Sequence, residues 1–288
     1  MIRTSTVKRI LVYFLLLFPF LHCHSQLRYA IVGTYKGKSA QGMAIWQDKA
    51  YLFSHGGRCR IFNLKTEVVE NEFMLGSADT ANHVNCACFG NIVTKDNNIP
   101  LLYISECKNK RRCFVESVND SSILLQTIYA KDEKGEIESA LNWIVDRENS
   151  FLYSISRSSK DFKTSQTIHN YITKYRLPRL EEGEEIILGV EDRLERYDIP
   201  FVNILQGAKI YDGKLYVVTG LSQQRYEFSK NAERAIIVID LKVKKIIKKI
   251  SLTYVTTNEP EDIDFYNGKC LLYCGQNGGI YEINLNNL

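Results

Sequence analysis

Residues 258–285 carry a hydrophobic–polar pattern that returns along the whole chain. Ile263 and Phe265 alternate with polar positions, Asn267-Gly268 follows, residues 271–274 are apolar, and Gly278-Gly279 precedes a last alternation over 280–285. Period-two alternation broken by Asn-Gly and Gly-Gly predicts three short antiparallel strands joined by hairpins. The phrase occurs four more times upstream, each time with room for a fourth strand. The first unit starts at Gln41 and runs to residue 75, with turns at 47–49 and 55–57. The second starts near Asn82 and places strands at 86–89, 101–105, 113–118 and 123–129. The third starts at Glu138, with strands at 141–145, 151–156 and 171–177, a long insertion over 158–170 and a closing strand at 184–190. The charged stretch 191–197 after it reads as a short helix or a loop. The fourth, from Gln206, repeats the last unit most closely: Asp212-Gly213-Lys214 stands where Asn267-Gly268-Lys269 stands in the fifth.

A four-stranded meander cannot bury both of its faces alone, so five of them at intervals of about 40–70 residues predict an all-β fold, a β-propeller. Five four-stranded blades are expected; six is the alternative, if the long third unit hides a degenerate blade. Two oddities then explain each other. The fifth unit lacks an outer strand, and residues 27–34 form one isolated strand. Pairing that strand beside residues 280–285 would complete the last blade and leave no loose edge where the ring closes.

Residues 1–25 stand apart. Arg3, Lys8 and Arg9 precede an apolar run over 10–21 and a cut site between Ser25 and Gln26, the three parts of a secretory signal. The run is short of the roughly 20 apolar residues that span a bilayer. This predicts export to the periplasm, cell surface or medium, and a single domain over 26–288. Cys23 raises lipid attachment, although Leu21 and His22 are bulky where a lipobox has small residues. A net charge of +4 among 37 basic and 33 acidic residues gives no single-sign field, so nucleic acid is not an expected partner. A monomer is expected.

The eight cysteines include seven after the predicted cut. Cys107 and Cys113 flank a polar stretch as partners across a hairpin would, and an oxidising compartment would allow a disulfide there. The remaining cysteines are expected to fill core.

In a propeller, residues just before each innermost strand converge at one mouth of the axis. Those positions hold Gln41, Asn82, His83, Asn85, Glu138, Gln206 and Glu261, with Glu259 and Asp262 close by. Such carboxylates and amides can hydrogen-bond a polar ligand such as a sugar, or ligate calcium through Asn85, Glu138 and Glu261. His83, beside Glu138 or Glu261, is the candidate general base. Trp46, Trp143 and Tyr226 are candidates for stacking on a sugar.

The acid-or-amide start, the Asp/Asn-Gly-Lys turn and the Leu-Tyr strand resemble the blades of secreted bacterial propellers, and residues 82–118 are similar to one blade of a group seen in gut Bacteroidetes. That resemblance implies the architecture and leaves the chemistry open. The expected role is binding of a polar small molecule, carbohydrate or protein partner at the mouth of the channel. The alternative is an enzyme resembling calcium-assisted propeller lactonases, lyases or hydrolases.

Overall fold

The computed structural model describes residues 26–29, 40–79, 82–108, 111–157, 169–223, 232–275 and 279–285. The first strand, β1 (Gln26–Tyr29), is followed by blade 1, formed by β2 (Ala40–Trp46), β3 (Lys49–Ser54), β4 (Arg58–Asn63) and β5 (Val69–Met74). Blade 2 contains β6 (Val84–Phe89), β7 (Leu102–Glu106), β8 (Cys113–Val118) and β9 (Ser122–Ala130). Next come β10 (Ala140–Asp146), β11 (Phe151–Arg157), β12 (His169–Arg176), β13 (Glu185–Leu188) and β14 (Arg193–Pro200). Blade 4 is β15 (Leu205–Tyr211), β16 (Lys214–Thr219), β17 (Ala235–Asp240) and β18 (Lys245–Ser251). The chain ends with β19 (Pro260–Tyr266), β20 (Lys269–Cys274) and β21 (Ile280–Ile283).

These strands make five sheets, and the protein is a five-bladed β-propeller. Four sheets have four strands. Blade 5 has the order β1-β21-β20-β19, so the amino-terminal strand does seal the ring, with Leu27 opposite Tyr281 and Tyr29 opposite Ile280. The described strand stops at Tyr29; residues 30–34 of the expected strand, the leader 1–25 and Tyr226 lie outside the described residues.

The third unit differs from expectation. Its outer strand is β14, which pairs along β12 from His169↔Pro200 to Tyr175↔Arg193, and not residues 184–190. Those residues supply β13, which crosses to blade 2 and lies parallel to β9 as a fifth strand. Thr127 N donates to Glu184 O and Lys131 N to Leu188 O, both at 2.8 Å, while the Gln126 side chain donates to Arg179 O and Gly183 O. The insertion therefore ties the outer edges of blades 2 and 3 together, and no sixth blade exists among the described residues.

The predicted turns form as their residues require. Asp212-Gly213 and Asn267-Gly268 both have positive φ at both positions, the mirror-image turn whose twist matches that of the strands. Alternate side chains of the inner three strands then point to opposite faces, and each face meets the next blade. Five hydrophobic clusters result, one at each blade–blade interface. Between blades 1 and 2, for example, Tyr51, Phe53 and Ile61 pack with Phe89, Leu102 and Phe114. Between blades 5 and 1, Leu271, Tyr273 and Ile280 pack with Met43, Ile45 and Leu52. Lys245, Lys248 and Lys249 fall on the outer strand β18, the edge position their charge suits. Among the described residues, no helix is long and apolar enough to cross a membrane.

The Cys107–Cys113 bridge is absent. All seven described cysteines are free thiols. Strand register puts Cys113 opposite Ser105, two residues short of Cys107, and Cys113 turns into the core between blades 2 and 3.

Candidate functional site

All five innermost strands, β2, β6, β10, β15 and β19, are irregular at the same place. Pairing with the second strand slips between Ala40 and Met43, Val84 and Cys86, Ala140 and Asn142, Leu205 and Ala208, and Pro260 and Asp262. Each slip is a bulge that turns polar residues toward the axis. Of the expected residues Asn85 and Gln206 meet, together with Asn142, and they bond to one another. Asn85 Nδ2 donates to Asn142 Oδ1 at 2.6 Å, and both amides donate to the backbone oxygen of Gln206, across the ring in blade 4. Gln206 Nε2 in turn donates to Gly220 O and to Glu259 Oε1. Asn142 was hidden in the sequence because it interrupts an otherwise apolar run.

The other expected residues of this mouth are buried in separate settings. Asn82 is bound to Ser77 in the connection between blades 1 and 2, through both the backbone oxygen and the hydroxyl. Glu138 accepts from Ser156 Oγ at 2.7 Å and pairs with Arg196 at 2.7 Å, with Arg193 at 3.7 Å. Gln41 and Glu261 are both buried, and Glu261 lies tightly against Gly275.

The calcium set does not fit this arrangement. Asn85 turns its amide donor toward Asn142 and Gln206, and the Arg196 guanidinium takes the place of a cation at Glu138. Among the described residues no three His, Cys, Asp or Glu side chains are placed to hold a metal ion together.

His83 meets neither Glu138 nor Glu261 in a hydrogen bond; its Nδ1 faces His55 Nδ1 at 3.1 Å. Burial, reinforced by Lys108 and His55, brings its pKa down to about 4, so the ring is neutral near pH 7. A neutral imidazole can accept a proton, and the group its Nδ1 faces here is another imidazole and not a carboxylate.

Below the amide layer the axis is filled. Asp262 Oδ2 accepts from Met43 N at 2.9 Å and Ala87 N at 3.1 Å, and Oδ1 accepts from Ile263 N at 2.9 Å. Strands of blades 1, 2 and 5 are thereby joined through one carboxylate. Burial raises that carboxyl to about 7, against the pull of Lys209 and these three N–H groups. Cys86 packs on Ala208 across the ring, with Sγ 3.0 Å from Ala208 O. The close approach depends on glycine: a Cβ at Gly207 would sit 1.9 Å from Asp262 Oδ1, and one at Gly42 would sit 3.0 Å from Val84 O.

At the carboxyl ends of the same five strands the ring opens into a cavity of about 390 Å³. Every blade contributes to it: Ile45 from blade 1, Phe89 and Asn91 from blade 2, Val145 to Glu148 from blade 3, Lys209 to Asp212 from blade 4, and Asp264 and Phe265 from blade 5. Its floor is a buried ion pair. Lys209 Nζ lies 2.9 Å from Asp264 Oδ2 and donates to Ala87 O at 2.9 Å. Burial works to lower the Lys209 pKa, but Asp264, joined by Asp262 and nearby thiols, outweighs it and keeps the ammonium charged.

One wall is Tyr211 stacked on Phe265, with ring centroids 4.0 Å apart and planes at 7°. Arg147 lies over the Trp46 ring at 4.8 Å, and Trp46 leans on Phe89. Trp46 thus belongs to this end of the molecule, whereas Trp143 is wholly buried and donates to Arg111 O. His83 immediately precedes β6 and Phe89 ends it, so the two mouths stand about 20 Å apart along six residues of strand. None of the residues lining the cavity was an expected site residue, because hairpin ends read as turns; Trp46, expected to stack on a sugar, lies beside it under Arg147. A lysine and an aspartate inside alternating strands, Lys209 and Asp264, were the available signal.

No family model matches the chain, and no curated protein matches it either. Solved structures of similar shape include the glutaminyl cyclase of Myxococcus xanthus, with a TM-score of 0.47 and 12% identity over 85% of this chain and 89% of that one. Raptor of Chaetomium thermophilum matches with a TM-score of 0.41 and 11% identity over 83% of this chain, which spans only 19% of that one. Neither likeness carries information about the mouths of the ring, whose chemistry follows from this chain's own residues.

Proposed function

We propose that this chain is an exported recognition protein that binds a small polar ligand in the blind pocket at the carboxyl ends of its inner strands. The observation that supports this most is that all five blades line the cavity. Its volume falls in the range of sites for small molecules, about 300–1,000 Å³, and it combines aromatic walls with a few charged groups. At the amino-terminal mouth, Asn85, Asn142 and Gln206 are engaged with one another among the described residues. Export is supported by the leader-like pattern of residues 1–25.

Crystals soaked in a mixture of small alcohols, amides, carboxylates and sugars test the location. Bound fragments are expected to collect between Tyr211 and Arg147. Fragments gathering around Asn85 and Gln206, or none in the cavity, would overturn the proposal.

A further inference from the structure

We infer that the pocket selects a monoanion, a carboxylate carried on a six-membered ring, held by Arg147 and Lys209 with the ring against the aromatic walls. This rests on the proposed binding role and adds the class of ligand to it. The argument is a census of which charged groups are already engaged.

The acids of the cavity are mostly satisfied from within. Asp264 Oδ2 accepts from Ile45 N at 2.7 Å and from Lys209, and its Oδ1 accepts from Phe265 N at 2.8 Å. Asp146 holds the backbone and side-chain nitrogens of Asn149 at 3.2 and 2.9 Å, which fixes the β10–β11 turn. Asp212 is paired with Lys214 at 2.9 Å. An ammonium ligand would have to compete with these donors for each of the three.

The donors are less completely engaged. The Lys209 ammonium has three N–H groups, of which Ala87 O and Asp264 take two, and it borders the cavity. Arg147 makes no ion pair among the described residues. Its guanidinium carbon lies 4.8 Å from the centroid of the Trp46 ring, and the residue lines the cavity, so its N–H groups can serve a ligand there. A planar fork of this kind matches a carboxylate in two parallel hydrogen bonds.

Glu148 sets the upper limit on charge. It is exposed at the rim beside Arg147 and has no ion-pair partner among the described residues. A second negative charge on the ligand would meet it, which disfavours phosphates and dicarboxylates. The exposed Tyr211, backed by Phe265, offers a flat surface to a sugar or an aromatic ring alike. A uronic acid and an aryl carboxylate therefore share the chemistry recognised.

Calorimetric titration of the full mature chain with glucuronate, benzoate, glucose, benzylamine and inorganic phosphate separates these cases, with Trp46 fluorescence as a second readout. At least one of the two carboxylates should bind roughly ten-fold or more tightly than glucose, benzylamine and phosphate, and Arg147→Gln should remove most of that margin. Lys249→Gln, on the outer strand of blade 4, should leave it intact. Glucuronate ahead of benzoate identifies an acidic sugar; the reverse identifies an aromatic acid. Benzylamine, glucose or phosphate binding in the cavity as tightly as both carboxylates would overturn the monoanion class while leaving the pocket standing. So would failure of both carboxylates when soaked fragments do occupy the cavity. An empty cavity in the soaked crystals would instead remove the binding role itself.

Discussion

Asp262 shows how much one side chain can carry. Two of its three backbone donors come from other blades, Met43 in blade 1 and Ala87 in blade 2, so a single carboxylate replaces hydrogen bonds that the bulges take away from the sheets. An asparagine has one acceptor oxygen and would turn an NH₂ toward donors on one side or the other. Asp262→Asn is therefore expected to lower unfolding free energy by about 2–5 kcal/mol in urea titrations, despite being nearly isosteric. A loss no larger than that of an ordinary surface substitution would show that the three donors have other acceptors. Gly207→Ala, which drives a methyl into the same carboxylate, should cost a similar amount, about 2–4 kcal/mol.

His83 makes a pH prediction of definite sign. Its folded pKa, about 4, lies below the ordinary 6.5, so between those values the unfolded chain holds the extra proton. The stability linked to this ring is complete above about pH 6.5 and is lost as pH falls toward 4. Because the ring keeps some contact with solvent, the effect is roughly 1–3 kcal/mol. Subtracting the pH profile of His83→Gln from that of the wild type should leave this slope; a flat difference would contradict it.

At the scale of strands and hairpins, the sequence was legible where a strand is inner and obscure where it is outer. Inner strands bury both faces between blades, so 50–54, 151–156 and 235–240 are apolar runs bounded by turn residues. Outer strands face water, and β14, Arg-Leu-Glu-Arg-Tyr-Asp-Ile-Pro, lacks a continuous apolar signal. The Ile-Ile-Leu of β13 is more strand-like, and for that reason 184–190 was assigned to the wrong blade. Parallel addition to β9 is not encoded locally at all; it depends on Gln126 and Arg193 reaching across.

Closure by β1 was legible because a missing strand and a surplus one are complementary. A chain starting at Ala30 loses those cross-strand bonds. It is expected to unfold about 2–4 kcal/mol more easily and to associate through the bared edge of β21 in light-scattering measurements. Unchanged stability would mean that β1 adds nothing to closure.

For the molecule as a whole, the sequence pointed to a ring with polar residues at its axis, and it did not point to the cavity at the carboxyl ends of the inner strands. Convergence of the polar starts was read correctly for Asn85 and Gln206. What could not be read was that they would satisfy one another. Amides that carry both donors and acceptors can saturate a ring among themselves, and no spacing along a chain reveals this. A second clue was in plain view: Gly42, Ala44, Cys86, Ala87, Gly207 and Ala208 are small residues along the inner strands, and small residues let strands approach until the channel closes. Once the axis is shut, polar groups at the far ends of the strands border a blind pocket instead of a pore.

That closure is the claim on which the location of the site depends, and the native thiols report on it directly. Cys86 and Cys88 flank the axis, fully buried, and burial pushes both thiols up, Cys86 well above the ordinary range. Cys107 is partly exposed, with its thiol raised to about 11. Iodoacetamide labelling of the folded chain, read peptide by peptide by mass spectrometry, should modify Cys107 first and reach Cys86 and Cys88 only once the protein unfolds. Labelling of Cys86 in the folded protein at the rate of Cys107 would show an open channel and contradict the account.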